Sequence, residues 1–198
     1  MNKKATTEYK VLNVISERWS PRSFREDEIP VEKIRSLFEA SRWSSSAFND
    51  QPWRYIVGIK GSSSWNNILD CLVEGNRDWA QRSPLLLLVC AETLSPQTGK
   101  HNAYAAFDTG QSLAFISLQA TELGLYTHPM AGFHKDKAIN AFQLPSSVEP
   151  LVILAVGYKN TPDILPENLK NIEESERKRK PFSEFVFTDK FNKASEIF

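Results

Sequence analysis

The chain has 198 residues, and its 24 basic side chains balance its 24 acidic ones. This length suits a single domain with a sizeable core, and a neutral chain has no overall field to attract nucleic acid or an anionic membrane. The longest apolar run, residues 85–91, is far too short to cross a bilayer, and no apolar leader stands at the start. We therefore expect a cytoplasmic protein with no membrane partner and no nucleic-acid partner.

Apolar periodicity predicts helices and strands in alternation along the chain. Helices are expected over residues 11–15, from Pro30 onwards, and over 64–72, 77–81, 102–123 and 136–142. Strands are expected over residues 53–59, 84–91 and 151–157. The helix over 102–123 is apolar around most of its circumference, which predicts that it is central or packs on two sides.

The two cysteines, Cys71 and Cys90, fall in a predicted helix and in the apolar run. Buried, reduced thiols suit these positions better than a disulfide does. No cluster of metal ligands accompanies them in the sequence, so we expect no metal site.

The last forty residues differ in character from the rest. Residues 161–180 are polar and charged, and residues 181–191 then bring in four phenylalanines and a valine. Large apolar side chains seek burial, so this arm either packs on a partner subunit or forms an edge strand of the same domain. The residues alone leave both possibilities open.

A loop rich in hydroxyl and amide groups follows the second predicted helix. Residues 45–55 read SSAFNDQPWRY, and Pro52 cannot continue a helix. Ser45, Ser46, Asn49 and Gln51 offer hydrogen bonds to a polar ligand just before a strand begins. The alternative is an ordinary turn.

Two arginines flank a serine in residues 17–24, ERWSPRSF. Guanidinium groups present several donors in a rigid fork, so Arg18 and Arg22 with Ser20 can clamp a phosphate or a polar ring edge. The alternative is a solvated helix end.

Two further segments could contact an anion or a ring. In residues 127–133, THPMAGF, Pro129 and Gly132 shape the backbone so that its amides can point at a ligand, although an ordinary loop between helices is the alternative. In residues 176–181, ERKRKP, Arg177 and Arg179 could neutralise a phosphate, although a solvated charge run or a nucleic-acid contact is the alternative.

The order of these segments is more specific than any one of them. The succession RWSPRSF, SSSAFNDQPW, the long helix ending in GLYTHPMAGF, the strand LVILAVGY and RKRKPFSEFV resembles the nitroreductase family of FMN-dependent oxidoreductases over nearly the whole chain. The resemblance implies one nitroreductase-like α+β domain over residues 1–198, with helices flanking a mostly antiparallel sheet. It also implies an intertwined homodimer, in which the C-terminal arm (161–198) crosses to the partner and both chains build each of two FMN sites.

The resemblance assigns cofactor-binding residues to four segments. The N-terminal flavin-binding turn is matched by Arg18, Trp19, Ser20 and Arg22, with Arg22 near the pyrimidine edge of the ring. The loop that reaches the cofactor from the opposite subunit is matched by Ser45, Ser46, Ala47 and Asn49, braced by Gln51 and Trp53. The segment beside the ring, with a backbone N–H near flavin N5, is matched by Pro129, Met130, Ala131 and Gly132, and the phosphate-binding pair by Arg177 and Arg179.

The chain departs from the family pattern in places. Many relatives have proline where Ser45 stands and an acidic residue where Ala131 stands, and the polar side chains that some members contribute from the region of residues 75–78 cannot be matched to particular residues here. The connection between residues 91 and 102 is short. The lid over the substrate is therefore expected to be small, and the substrate class stays open.

The resemblance implies that FMN passes hydride from NADH or NADPH through N5 to a nitroaromatic, a quinone or a similar small acceptor by a ping-pong mechanism. Arg22 would supply a fixed positive charge, and no acid–base pair is needed, so we expect His128 to be structural. The alternatives are reductive dehalogenation or dehydrogenation on the same scaffold, a flavin store or sensor without turnover, and a nucleic-acid contact by residues 177–180. Overall neutrality argues against the last.

Overall fold

A computed structural model describes residues 3–197. Within this range, four antiparallel strands form one sheet in the order β1-β2-β4-β3. The strands are β1 (Trp53–Ile59), β2 (Leu85–Glu92), β3 (Tyr126–Met130) and β4 (Val148–Gly157). The helices are α1 (Asn13–Glu17), α2 (Val31–Arg42), α3 (Ser63–Cys71), α4 (Glu74–Ala80), α5 (Ala105–Glu122), α6 (Lys135–Phe142) and α7 (Glu167–Glu174). Short 3₁₀ helices occupy Ala47–Asn49, Pro162–Ile164 and Phe182–Glu184. The predicted α+β class with an antiparallel sheet is confirmed.

The sheet carries an apolar layer on each face, and β2 contributes to both. Successive side chains of a strand point to opposite faces. Leu86 and Leu88 pack with apolar residues of α3, α4 and α6, whereas Leu85 and Leu87 pack with apolar residues of α2 and α5. This explains why β2 reads as a continuous apolar run, since neither of its faces meets water.

The long helix α5 packs against the sheet, α2 and α1 within the chain. Ile116 and Ala120 are fully buried. The remaining surface is open, since Phe107 is 68% exposed, Phe115 is 42% exposed, and a Cβ at Gly110 would meet nothing within 4 Å. The prediction of a helix with several packing partners is therefore confirmed, and one of its surfaces stays uncovered within residues 3–197.

Two elements differ from the sequence expectation. Residues 127–133, for which an ordinary loop is the alternative to a ligand-binding segment, begin within β3, which pairs with β4 at the edge of the sheet. Pro129 is tolerated there because an edge strand needs only one set of ladder hydrogen bonds. The polar connection over 161–180 contains α7, which a charge-rich composition concealed.

Residues 181–197 of the C-terminal arm add no strand to the sheet. In this described range they form the 3₁₀ helix Phe182–Glu184 and a bridge between Phe187 and Ala194. The edge-strand alternative is therefore wrong. Phe191 is 79% exposed, so its ring remains in solvent in one chain.

Gly58 allows α3 to lie directly on β1. A Cβ at Gly58 would lie 2.6 Å from Trp65 Cα and 2.8 Å from Trp65 N, which are backbone atoms that cannot move aside. We expect Gly58→Ala to lower the free energy of unfolding by about 1–3 kcal/mol because the added methyl overpacks this contact. The control is Gly75→Ala in α4, where a Cβ meets nothing within 4 Å and a helical alanine should stabilise by about 0.4–1 kcal/mol. Urea unfolding of both variants measures the two changes, and equal stabilities would contradict the packing of α3 on β1.

Candidate functional site

Residues 18–23, here called the arginine turn, lie beside the end of β4. The Arg25 amide donates to Tyr158 O at 2.8 Å, and Phe24 forms a bridge with Lys159. The Ser23 hydroxyl donates to the carbonyl of Thr161. These bonds fix the position of the turn on the chain that leaves the sheet.

His128 of β3 holds the arginine turn by a hydrogen bond to its backbone. Its Nδ1 lies 2.9 Å from Pro21 O, and because a carbonyl can only accept, Nδ1 carries the proton. The imidazole packs against Trp79 with ring centroids 4.5 Å apart. Burial lowers the pKa of His128 to about 4, and the charges of Arg22 and Arg18 act in the same direction. His128 is therefore a neutral structural donor at pH 7, as the sequence analysis expects.

The guanidinium groups of Arg18, Arg177 and Arg179 lie close to one another. Burial lowers the pKa of Arg18, and the charge of Arg179 lowers it further. Burial also lowers the pKa of Arg177, as do the charges of Arg18 and Arg179. No carboxylate among residues 3–197 forms an ion pair with any of the three. The structure thus brings the two predicted basic segments together into one cationic cluster.

The members of this cluster have different hydrogen-bond partners. Arg18 Nη1 donates to Ser20 Oγ at 3.3 Å. Arg177 donates to Lys3 O at 2.7 Å, Ser16 O at 3.1 Å and Arg18 O at 2.9 Å. Arg177 therefore also ties the C-terminal segment to the arginine turn, a role that the sequence analysis did not foresee.

Trp19 and Arg22 complete the predicted turn. The Trp19 indole meets the Tyr126 ring edge-on at 6.2 Å. The half-buried Arg22 guanidinium makes no hydrogen bond or ion pair within the described residues, although its backbone is firmly held.

Residues 129–132, here called the glycine segment, comprise the last two residues of β3 and the two residues that follow it. The Met130 side chain is buried in the core, whereas Pro129 and Ala131 are exposed. Gly132 O accepts from Asn76 Nδ2 at 3.0 Å and from Val73 N at 3.2 Å. A polar side chain from residues 75–78 does reach this segment, and the sequence analysis could not place it.

Residues 45–51, the amide loop, hold an unusual backbone. Phe48, Asn49 and Gln51 have φ angles of 53°, 58° and 47°. Non-glycine residues in this left-handed region are strained, and such strain persists at functional sites where surrounding bonds enforce it. Gln51 Nε2 donates to Asn49 O at 3.2 Å, and the Gln51 amide donates to Ser46 Oγ at 3.1 Å, so Gln51 braces the loop.

Helix α5 holds the amide loop in place. The Ala47 amide donates to Asp108 Oδ2 at 3.0 Å, and Ser45 Oγ donates to Gln111 Oε1 at 3.1 Å. Asp108 is only 2% exposed. Sequence analysis missed both anchors, although two polar residues three apart in an apolar helix are a signal that could have found them.

The arginine turn and the amide loop lie at opposite ends of the sheet. Trp53, directly after the amide loop, pairs with Ala91, which pairs with Glu149 at the start of β4. Phe24, directly after the arginine turn, pairs with Lys159 beyond the end of β4. Glu149 is ten positions from Lys159, about 30 Å at the rise of a strand. It is six positions, about 20 Å, from Ala155, which pairs with His128, the residue that contacts Pro21 of the arginine turn. One chain therefore carries two separate groups of predicted site residues.

Two other features, a membrane-spanning helix and a metal-ligand cluster, are absent from the described residues. No helix within residues 3–197 is long and apolar enough to cross a membrane. The same residues contain no group of three or more His, Cys, Asp or Glu side chains that could hold a metal ion.

The nitroreductase family model matches residues 15–63 and 65–158 of the chain. The chain belongs to the nitroreductase family. As a member of this family it is an oxidoreductase, and its fold is the nitroreductase fold.

Known structures and curated relatives agree with this assignment. The chain is similar to an oxidoreductase crystallised with FMN, at 31% identity and a TM-score of 0.89 over 96% of this chain and 97% of that one. It is also similar to a nitroreductase family protein from Clostridium difficile 630, at 28% identity and a TM-score of 0.70 over 90% and 97%. A relative from Stenotrophomonas maltophilia with the provisional name NADH dehydrogenase/NAD(P)H nitroreductase is 24% identical over 72% of this chain and 82% of its own.

The low pKa of His128 predicts a pH dependence of stability. The unfolded chain, in which this pKa is near 6.5, binds more protons than the folded protein, in which it is about 4. The stability from the neutral ring is fully present above pH 6.5 and is lost as pH falls through 4, so it should decrease by about 2–3 kcal/mol between pH 7 and pH 4.5. His128→Gln cannot titrate, and urea unfolding at both pH values should show a smaller loss for the variant. Equal losses would show that burial of His128 has no such effect.

Proposed function

We propose that this oxidoreductase uses FMN to pass hydride from NADH or NADPH to a nitroaromatic, a quinone or a similar conjugated acceptor in a ping-pong sequence. The observation that carries the proposal is the cationic cluster of Arg18, Arg177 and Arg179. The similarity to an FMN-containing oxidoreductase at 31% identity supports the choice of cofactor. The provisional names of relatives support a nicotinamide donor.

The residues present fit the phosphate of FMN. Arg18, Arg177 and Arg179 repel one another, and a phosphate dianion would relieve that repulsion with charge-assisted hydrogen bonds. Ser20 adds a hydroxyl donor beside Arg18. Because Arg177 already donates three bonds to carbonyls, Arg18 and Arg179 have more donors left for the phosphate.

The remaining residues fit the flavin ring. Among residues 3–197, neither the Ala131 nor the Gly132 amide donates a hydrogen bond, so both can donate to a ring nitrogen or oxygen. Arg22 likewise has a guanidinium without a protein partner in that range. A cation at this position would bind a ring edge and neutralise negative charge there.

FMN, when bound, supplies hydride transfer at N5. The chain's own residues then act by position and charge. Arg22 stabilises the negative charge that reduction places on the pyrimidine edge, and it does so without reorganising because its backbone is already fixed. The amides of the glycine segment orient the ring, and Asn76 fixes the Gly132 carbonyl by a hydrogen bond.

A second copy of the chain would complete each site. The arginine turn and the amide loop of one chain lie toward opposite ends of the sheet, so in this proposal the amide loop at each site comes from the other copy. The exposed outer face of α5, which includes Phe107 and Phe115 around Gly110, suits close packing of two helices across a homodimer interface. The exposed Phe191 of the C-terminal arm suits burial on the partner in the same way.

The function is tested by the absorption of the purified protein. We expect a yellow protein, or a colourless one that binds added FMN, whose flavin absorbance bleaches under anaerobic NADH or NADPH and returns when an acceptor is added. Arg22→Ala should weaken FMN binding or slow flavin reduction by roughly 10- to 100-fold, because it removes a charged donor. The control is Arg35→Ala, which removes only an exposed ion pair with Glu32. A protein that stays yellow with both nicotinamides is a flavin store or sensor, and one that ignores FMN contradicts the proposal entirely.

The shared site is tested by subunit complementation. Arg22→Ala damages the arginine turn, and Asn49→Asp damages the amide loop while keeping a side chain that tolerates a positive φ. In a heterodimer of the two variants, isolated with two affinity tags, one site would carry both changes and the other neither. We expect about one FMN per heterodimer with wild-type affinity and weak binding by each homodimer. No recovery in the heterodimer would place the whole site within one chain.

A further inference from the structure

Glu173 is a buried acid that the mechanism above does not use. It lies near the end of α7 and is only 3% exposed. Its carboxylate forms no ion pair within residues 3–197. An ionised group so deeply buried is costly unless hydrogen bonds compensate it.

The compensating bonds come from the arginine turn. The Arg22 amide lies 3.0 Å from both carboxylate oxygens of Glu173, and the Ser23 amide donates to Oε1 at 3.2 Å. About 150 residues of chain separate these partners. The carboxylate thus fixes the two peptide units on which the Arg22 side chain is mounted.

We infer that Glu173 is the positioning residue that aims the Arg22 guanidinium at the flavin, so that α7 forms part of the cofactor site without touching the cofactor. This inference rests on the proposed FMN function. The bond directions favour a positional role, because the carboxylate binds the backbone of Arg22 and leaves its guanidinium without a protein partner in the described range.

The variant Glu173→Gln separates position from charge. A glutamine oxygen in the place of Oε1 can still accept from both backbone amides, but the NH₂ that replaces Oε2 then faces the Arg22 N–H as a second donor, which displaces the Arg22 backbone. If Arg22 is then misplaced, FMN affinity should fall by about 10-fold, and the midpoint potential of bound FMN, measured at saturating flavin, should become more negative. Removal of a negative charge alone would instead make the potential more positive, because reduced flavin is the more anionic state.

The matched control is Glu174→Gln, which removes the same charge from the exposed neighbour on the same helix. We expect its FMN affinity to stay within about 2-fold of wild type and its potential to shift slightly upwards. Glu173→Asp keeps the charge but shortens the reach, so it should show a weaker form of the Glu173→Gln effect. An unchanged FMN affinity in Glu173→Gln, or a potential that rises as in the control, would overturn the inference.

A measurement on the unmodified protein covers the case in which the variants do not fold. Amide hydrogen exchange of the flavin-free protein should show Arg22 and Ser23 protected well beyond exposed loop residues. Rapid exchange at both amides would overturn the inference. If the wild-type protein binds no FMN, the proposed function fails and the inference with it, whereas FMN binding that is indifferent to Glu173 overturns the inference alone.

Discussion

The register of the sheet is the constraint on which the rest of the structure depends. Since β2 and β4 are buried on both faces, a slip by one residue would turn their side chains to the opposite layer, so the pairing is strongly specified. The pairing places the amide loop before β1 at one end and the arginine turn beyond β4 at the other. The sheet therefore holds the two segments toward opposite ends of one chain, which is the reason for proposing that a second copy completes each site.

A buried carboxylate that accepts backbone hydrogen bonds holds each of the two separated segments. Asp108 of α5 accepts from the backbone of the amide loop, and Glu173 of α7 accepts from the backbone of the arginine turn. Both acids are almost fully buried. Hydrogen bonds to a charged acceptor are stronger than neutral ones, contributing about 1.5–3 kcal/mol each. They can therefore hold a strained loop such as the one at Phe48, and they leave the side chains of each segment free to meet a ligand.

The sequence predicts the long elements better than the side chains that hold the loops in place. The helix α5 and the strands β1, β2 and β4 are recognisable because their apolar periodicity is long and unbroken. The short β3 contains a proline and a histidine, and α7 has an acid as its buried residue, so neither shows a periodic signal. Glu173 is one of several acids in a charged run, and only the tertiary fold shows that it is the buried one. The motifs identify segments that could face a ligand. The residues that hold those segments in place are determined by contacts between parts of the chain that are distant in the sequence.

The glycine segment shows how an edge strand can serve both the core and a ligand surface. Met130 is buried in the core, yet one residue later Ala131 is exposed. A Cβ at Gly132 would lie 2.7 Å from Asn76 Nδ2 and 3.0 Å from Val73 Cγ2, so glycine leaves room for the side chains that pack beside this carbonyl. The Gly132 carbonyl and the Phe133 N–H belong to one peptide, which is fixed because the carbonyl accepts from Asn76 and the N–H donates to Ala131 O at 3.1 Å. The Gly132 N–H belongs to the preceding peptide and donates no hydrogen bond among residues 3–197, which is the condition under which a backbone amide can serve a cofactor.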